Sequence, residues 1–166
     1  MVTTITRAWE VAAAVPDPEL PMLTLADLGV LAEVEERDGE LTAWLTPTYS
    51  GCPAIAEMAA DVAARLHTAG FPTARVRLRL DPPWSSDRIS AEGRRKLAEA
   101  GIAPPTRGGS PTPGGLLALG PTRLAVSCPQ CGSTDTEELS RFGSTACKSL
   151  WRCRSCREPF DRIKEI

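Results

Sequence analysis

The 166-residue sequence predicts an α+β domain followed by a small metal-binding ribbon. Three observations point there. Apolar periodicity runs in the order helix, hairpin, helix, strand, helix; residues 106–121 are rich in Gly and Pro; and two Cys-x-x-Cys pairs lie beyond that break.

Residues 6–15 read as a short amphipathic helix, with Trp9, Ala12 and Ala13 at helical spacing. Pro16 and Pro18 end it, so Asp17-Pro18-Glu19-Leu20-Pro21 is extended or turned. Ala26-Asp27-Leu28-Gly29 reads as a turn into a strand. Val30, Ala32 and Val34 alternate with Leu31, Glu33 and Glu35. Leu41, Ala43 and Leu45 alternate with Thr42, Trp44 and Thr46. Asp38-Gly39 between the two runs is a hairpin turn, so one face of the pair is buried.

Pro47-Thr48-Tyr49-Ser50-Gly51-Cys52-Pro53 reads as a loop. Residues 54–69 form a helix with Ile55, Met58, Ala59, Val62 and Leu66 on one face, stopped by Gly70. Ala74, Val76, Leu78 and Leu80 then alternate with Arg75, Arg77 and Arg79, a strand whose polar face is all arginine. Asp81-Pro82-Pro83-Trp84 ends it, and residues 87–100 make a further helix closed by Gly101. Residues 106–121 hold five Gly and three Pro, too many for a regular element, and read as a linker. The expected division is therefore 1–105, 106–121 and 122–166.

A 42% apolar and 24% charged composition is that of a globular chain, and a net charge of −2 gives no global pull toward nucleic acid or membrane. No apolar run reaches the roughly eighteen residues of a membrane span. The first ten residues lack a basic stretch followed by an apolar core, so no signal peptide is expected. The cytoplasm is the implied compartment, where six cysteines read as metal ligands or reactive thiols before disulfides. Charge is uneven. From Arg141 onward seven Lys/Arg face three Asp/Glu, and the excess reads equally well as an ordinary Arg-rich surface or as a face for an acidic partner.

Cys128-Pro129-Gln130-Cys131-Gly132 and Cys153-Arg154-Ser155-Cys156 are separated by 21 residues. Two residues between cysteines let both sulfurs face one cation, and four thiolates close a tetrahedral shell with bonds of about 2.3 Å. Such a shell has no open position, so the role is structural. Zinc is the expected metal; iron would use the same ligands. Gly132 suits its turn, while Arg157 holds the equivalent place without glycine's freedom. On a strand leading to Cys153, Cys147 would stand roughly 20 Å away, too far to join the shell. It is either a packed thiol or one presented to a partner.

Cys52 precedes Pro53, a residue suited to a first helical turn. A helix N-terminus favours thiolate, and Thr46, Thr48, Tyr49 and Ser50 supply hydroxyls around it. The competing reading is a small buried apolar residue. Asp17, Glu19 and Asp27 lie in Pro/Gly-rich loops, where exposure or helix capping is their ordinary role. His67 is the one histidine and falls on a helix surface. With no phosphate loop, dinucleotide fingerprint or metalloprotease motif, an independent enzyme is not expected.

Four segments resemble the MIP18-like (DUF59) domain: Asp17-Pro18-Glu19-Leu20-Pro21, the Asp27-Leu28-Gly29 turn, the loop from Thr46 through Ser50-Gly51-Cys52-Pro53, and Pro82-Pro83-Trp84-Ser85-Ser86-Asp87. The tail from Cys128-Pro129-Gln130-Cys131 through Ala146-Cys147-Lys148-Ser149-Leu150-Trp151-Arg152-Cys153 resembles the zinc ribbon of the PaaD (PaaJ) family. Gly101-Ile102-Ala103-Pro104-Pro105 lies between. Arg88 departs from the aromatic residue the pattern leads one to expect.

The resemblance implies a small mixed sheet packed by helices, then a zinc β-ribbon. It implies an accessory or maturation role for phenylacetyl-CoA epoxidase in aerobic phenylacetate breakdown, assisting iron or iron–sulfur cluster assembly. Cys52 would be the reactive thiol and hold a transient iron or iron–sulfur cluster, with Asp17, Glu19, Asp27, Thr48 and Ser50 in the supporting loops. Cys128, Cys131, Cys153 and Cys156 would hold one structural zinc. The partners implied are the oxygenase and reductase components, with a homodimer left open and no membrane. The alternative is a structural subunit without an assembly role. A nucleic-acid-binding ribbon, suggested by Arg152, Arg154, Arg157 and Arg162, ranks last.

Overall fold

The computed structural model describes residues 3–49, 51–106 and 125–166. The chain divides into two compact units, Met1–Lys96 together with Ile166, and Leu97–Glu165. The stretch expected as a linker lies outside the described residues except for Thr106.

In the first unit, helix α1 (Thr4–Ala13) is capped by Thr3, whose hydroxyl accepts the Thr6 N–H. Of the expected Trp9, Ala12 and Ala13, Ala12 is buried, together with Ala8, whereas Trp9 is 36% exposed. Two alanines let α1 lie close against strand β1 (Leu31–Arg37) and helix α3 (Ala54–Thr68), and the indole stays at the rim.

The expected turn before the sheet is a one-turn helix, α2 (Leu25–Leu28). Thr24 and Asp27 form a capping box around its N-terminus, and Gly29 closes it at φ 67°. β1 then pairs antiparallel with β2 (Glu40–Leu45), with a register shift between Leu31 and Glu33. That bulge breaks the strict alternation, so Val30, Leu31 and Val34 are all buried. Asp38 and Gly39 take φ 53° and 79°, the paired positive values that a two-residue hairpin turn requires.

α3 buries Ala54, Met58, Val62 and Leu66, and returns the chain to β3 (Arg75–Leu78), parallel to β2. The sheet is mixed, in the order β1-β2-β3. Leu45, Val62 and Leu66 are fully buried at its centre, each contributing about 1.5–3 kcal/mol through area removed from water. β3 is an edge strand. Its polar face carries Arg75 and Arg77 as expected, but Leu78 and Leu80 on the other face are 48% and 67% exposed. The predicted last helix starts later than expected: Ser86–Arg88 form one 3₁₀ turn, and α4 spans Ala91–Glu99.

In the second unit, β4 (Thr136–Ser140), β5 (Lys148–Cys153) and β6 (Pro159–Ile163) form an antiparallel sheet. Ala103 extends it: its N–H donates to the Asp161 carbonyl at 2.8 Å and its carbonyl accepts the Ile163 N–H at 3.0 Å. Ala103, Val126, Cys128, Trp151, Cys153 and Phe160 form the core of this ribbon. Residues 101–105, read from sequence as the end of the first domain, therefore contribute to the ribbon. No helix among the described residues is long and apolar enough to cross a membrane.

Candidate functional site

The two Cys-x-x-Cys turns are built alike. In the first, the Gly132 N–H donates to the Cys128 carbonyl and the Cys128 N–H to the Ser133 carbonyl, both at 2.9 Å. In the second, the Cys153 N–H donates to the Glu158 carbonyl at 3.0 Å, and the Cys156 N–H points at the Cys153 sulfur at 3.5 Å. Gly132 has φ 75° and Arg157 φ 68°, so Arg157 adopts the left-handed turn despite its side chain. Pairing of Thr136 with Cys153 across β4 and β5 sets the turns side by side, and the Ser133 and Ser155 hydroxyls meet at 2.8 Å.

All four sulfurs lie within 4.8 Å of one another. Cys128 and Cys156 are separated by 3.8 Å, Cys131 and Cys153 by 3.6 Å. A tetrahedral thiolate shell with bonds of ~2.3 Å has sulfur–sulfur edges of about 3.8 Å, so the four cysteines fit one cation. Electrostatics agree. The Cys156 N–H and the neighbouring Cys131 thiol hold the Cys153 thiol down to about 6. At Cys156 the Glu158 N–H favours thiolate, but burial and the other sulfurs outweigh it and push the thiol up to about 12. The two opposite shifts belong to the clustered sulfurs jointly, and a cation among them favours the thiolate form. The four sulfurs are clustered closely enough to hold one metal ion. Cys147 stands outside this cluster, before β5, with its sulfur 3.0 Å from the Thr145 hydroxyl and its carbonyl accepting the Lys164 N–H.

Cys52 lies in the segment joining the end of β2 to α3. Because β2 and β3 are parallel, this segment sits at their carboxyl edge, where α/β units commonly place ligands. Pro53 already has helical angles, φ −67° and ψ −28°, and no side chain caps the helix. Cys52 is 7% exposed; its N–H donates to the Tyr49 carbonyl and its carbonyl accepts the Ile55 N–H, both at 3.3 Å. Thr46, just upstream, is 1% exposed, and its hydroxyl oxygen has no hydrogen-bond partner among the described residues. Thr48 is half-buried, while Ser50 lies outside the described residues.

The expected supporting acids have local partners. Asp17 is buried and one carboxylate oxygen accepts the Glu19 and Leu20 N–H groups at 2.8 and 2.7 Å, organising its own loop, in which Glu19 is half-buried. Asp27 accepts the Thr24 N–H at 3.0 Å and the Lys96 ammonium at 2.8 Å, with the Ser90 hydroxyl at 3.5 Å. Burial pushes its carboxyl up, but the hydrogen bonds from Lys96 and Thr24 outweigh that and lower it below the ordinary value. Both oxygens of Asp27 are thus engaged in tying α2 to α4. The same turn grips the Pro82–Asp87 region: Trp84 is buried and donates to the Leu28 carbonyl at 2.9 Å, and the Arg88 backbone presses on Gly29.

Sequence reasoning missed Glu137. It lies opposite Arg152 in the β4–β5 register and binds both Arg152 and Arg154, the latter at 2.9 Å. Arg162 is buried, pairs with Glu165 at 2.5 Å and stacks over Trp151 at 5.5 Å. Three of the four arginines that suggest nucleic-acid binding are therefore matched by carboxylates within the ribbon. An acid facing a basic strand at ladder spacing is the signal that could have found Glu137.

Residues 7–83 match the family described as "Iron-sulfur cluster assembly protein", and residues 115–164 the "PaaD zinc beta ribbon domain". A protein of Escherichia coli (strain K12), named as a putative subunit of 1,2-phenylacetyl-CoA epoxidase, is 41% identical over 158 residues, covering 95% of this chain and 91% of its own. The crystal structure of a DUF59 domain from Bacillus anthracis aligns with TM-score 0.51 and 28% identity, over 56% of this chain and 90% of that one.

Proposed function

The chain belongs to the PaaD family of 1,2-phenylacetyl-CoA epoxidase proteins, and on that premise we propose that it is an accessory factor of that system. Its task is to assist the loading or repair of iron or an iron–sulfur cluster in the oxygenase or reductase component. The observation that carries this reading is Cys52: a shielded thiol at the carboxyl edge of a parallel strand pair, in the part of the chain that matches cluster-assembly proteins. Iron or a cluster is cargo here, held transiently by that thiol.

The ribbon supports the same division of labour. Its four sulfurs close on one another and leave no open coordination position, so its metal, which we assign as zinc, holds the ribbon's fold and takes no part in transfer. Cys52→Ala, expressed in cells lacking the native copy, should lose most epoxidase activity while retaining the ribbon's zinc. Full activity in that variant would overturn the assembly role.

A second reading is a structural component that remains with the oxygenase, favoured by the word "subunit" in the relative's name. Co-purification at fixed stoichiometry throughout turnover supports that reading; capture only while the client lacks its iron supports assembly.

A further inference from the structure

A groove of about 760 Å³ opens on the ribbon sheet, and the described residues that line it all belong to the ribbon, among them Arg141, Phe142, Trp151, Arg162 and Lys164. It is distinct from both the four-sulfur cluster and Cys52. Phe142 is 75% exposed, an unusual state for a phenylalanine, and the Lys164 ammonium lies 4.9 Å from its ring centroid. Arg162 is fixed at the groove by Trp151 and Glu165, and its buried Nε has no acceptor among the described residues.

The charges decide what fits. Glu137 is engaged by Arg152 and Arg154, and Glu165 by Arg162, whereas Arg141 and Lys164 have no carboxylate partner among the described residues. Among the described residues Glu138 is the one lining acid without an ion-pair partner, so two cations without a carboxylate face one such acid and the lining carries a net positive charge. The Lys164 ammonium donates to the Ala146 carbonyl at 2.8 Å and lies over Phe142, but neither contact neutralises its charge. An exposed aromatic beside two cations without carboxylate partners complements an extended segment carrying an apolar side chain among carboxylates.

We infer that this groove is a docking site for an acidic peptide segment of a partner protein, with an aromatic or aliphatic residue seated against Phe142 and carboxylates against Arg141 and Lys164. The groove recognises the partner; it takes no part in holding iron. The inference does not depend on the epoxidase role and is tested without epoxidase.

The probe is a fluorescein-labelled peptide of ten Asp and Glu residues around one central Phe, titrated by anisotropy into the full zinc-loaded chain. Saturable binding is expected, weakening with salt. Arg141→Glu, Lys164→Glu and Phe142→Ala should each raise Kd at least about threefold, while Arg37→Glu in the first unit leaves it unchanged. Unchanged zinc content and circular dichroism show that the variants remain folded. Absence of saturable binding to the wild type, or equal binding by all the variants, would overturn the inference. So would displacement of the peptide by single-stranded oligonucleotide at lower concentration than by unlabelled peptide, which would assign the groove to nucleic acid.

Discussion

Arg157 follows Cys156 with φ 68°, and Gly132 follows Cys131 with φ 75°, so two different residues hold one backbone conformation at equivalent points of the metal turns. For a non-glycine residue that conformation costs on the order of 1 kcal/mol. A Cβ on Gly132 would meet nothing within 4 Å, so the cost there is conformational alone. Arg157→Gly should stabilise the metal-loaded ribbon by about 0.5–1 kcal/mol, and Gly132→Ala should destabilise it by about 1 kcal/mol. Denaturant unfolding of the loaded protein measures both; opposite signs at the two positions are the expected pattern.

Gly29 allows no such exchange. Besides its φ of 67°, a Cβ there would stand 2.6 Å from the Arg88 Cβ and 2.7 Å from the Arg88 carbonyl oxygen. Gly29→Ala should cost about 2–4 kcal/mol, combining the left-handed penalty with overpacking against backbone. A loss below about 1 kcal/mol in thermal unfolding would show that the Trp84–Arg88 segment is not gripped by this turn.

Asp27 joins α2 to α4 through Thr24 and Lys96. Its folded carboxyl titrates below the ordinary value, so its contribution is fully present above the unfolded carboxylate pKa and is lost as pH falls through the lower folded value. Asp27→Asn should cost about 1–3 kcal/mol at neutral pH. It should also flatten the decline of stability below about pH 4. Stability curves for the two proteins that remain parallel down to acid pH would contradict this assignment.

The four-sulfur cluster excludes Cys147. Cys147→Ser should retain one metal per chain and the cobalt-substituted thiolate charge-transfer band, whereas Cys131→Ser should lose both stoichiometry and spectrum. Loss of metal in Cys147→Ser would move that thiol into the site.

The parts of this fold legible in the sequence are those fixed by short-range chemistry. Asp38-Gly39, the α3 periodicity and the Cys-x-x-Cys spacings each carry their own geometry within a few residues. Partnerships between distant segments are hidden. Asp27 reads as an ordinary loop carboxylate because Lys96 stands 69 positions away, and Glu137 is unremarkable until strand register sets it beside Arg152. Size and spacing point Trp9 toward the core, yet the close helix–sheet approach selects Ala8 and Ala12. The late start of α4 follows from Ser90, whose hydroxyl accepts the Gly93 N–H at 2.9 Å, a cap that periodicity alone does not locate. In the Cys52 loop, Pro53 takes the helical angles that its place before α3 suggests, and Ser50 lies outside the described residues.

In the proposed function, cargo metal and structural metal reside on different cysteines. Metal analysis of anaerobically purified protein, compared between wild type and Cys52→Ala, separates them. One zinc per chain is expected in both proteins, with additional iron in the wild type that disappears in Cys52→Ala. Zinc alone in both, or iron retained in Cys52→Ala, would contradict that expectation.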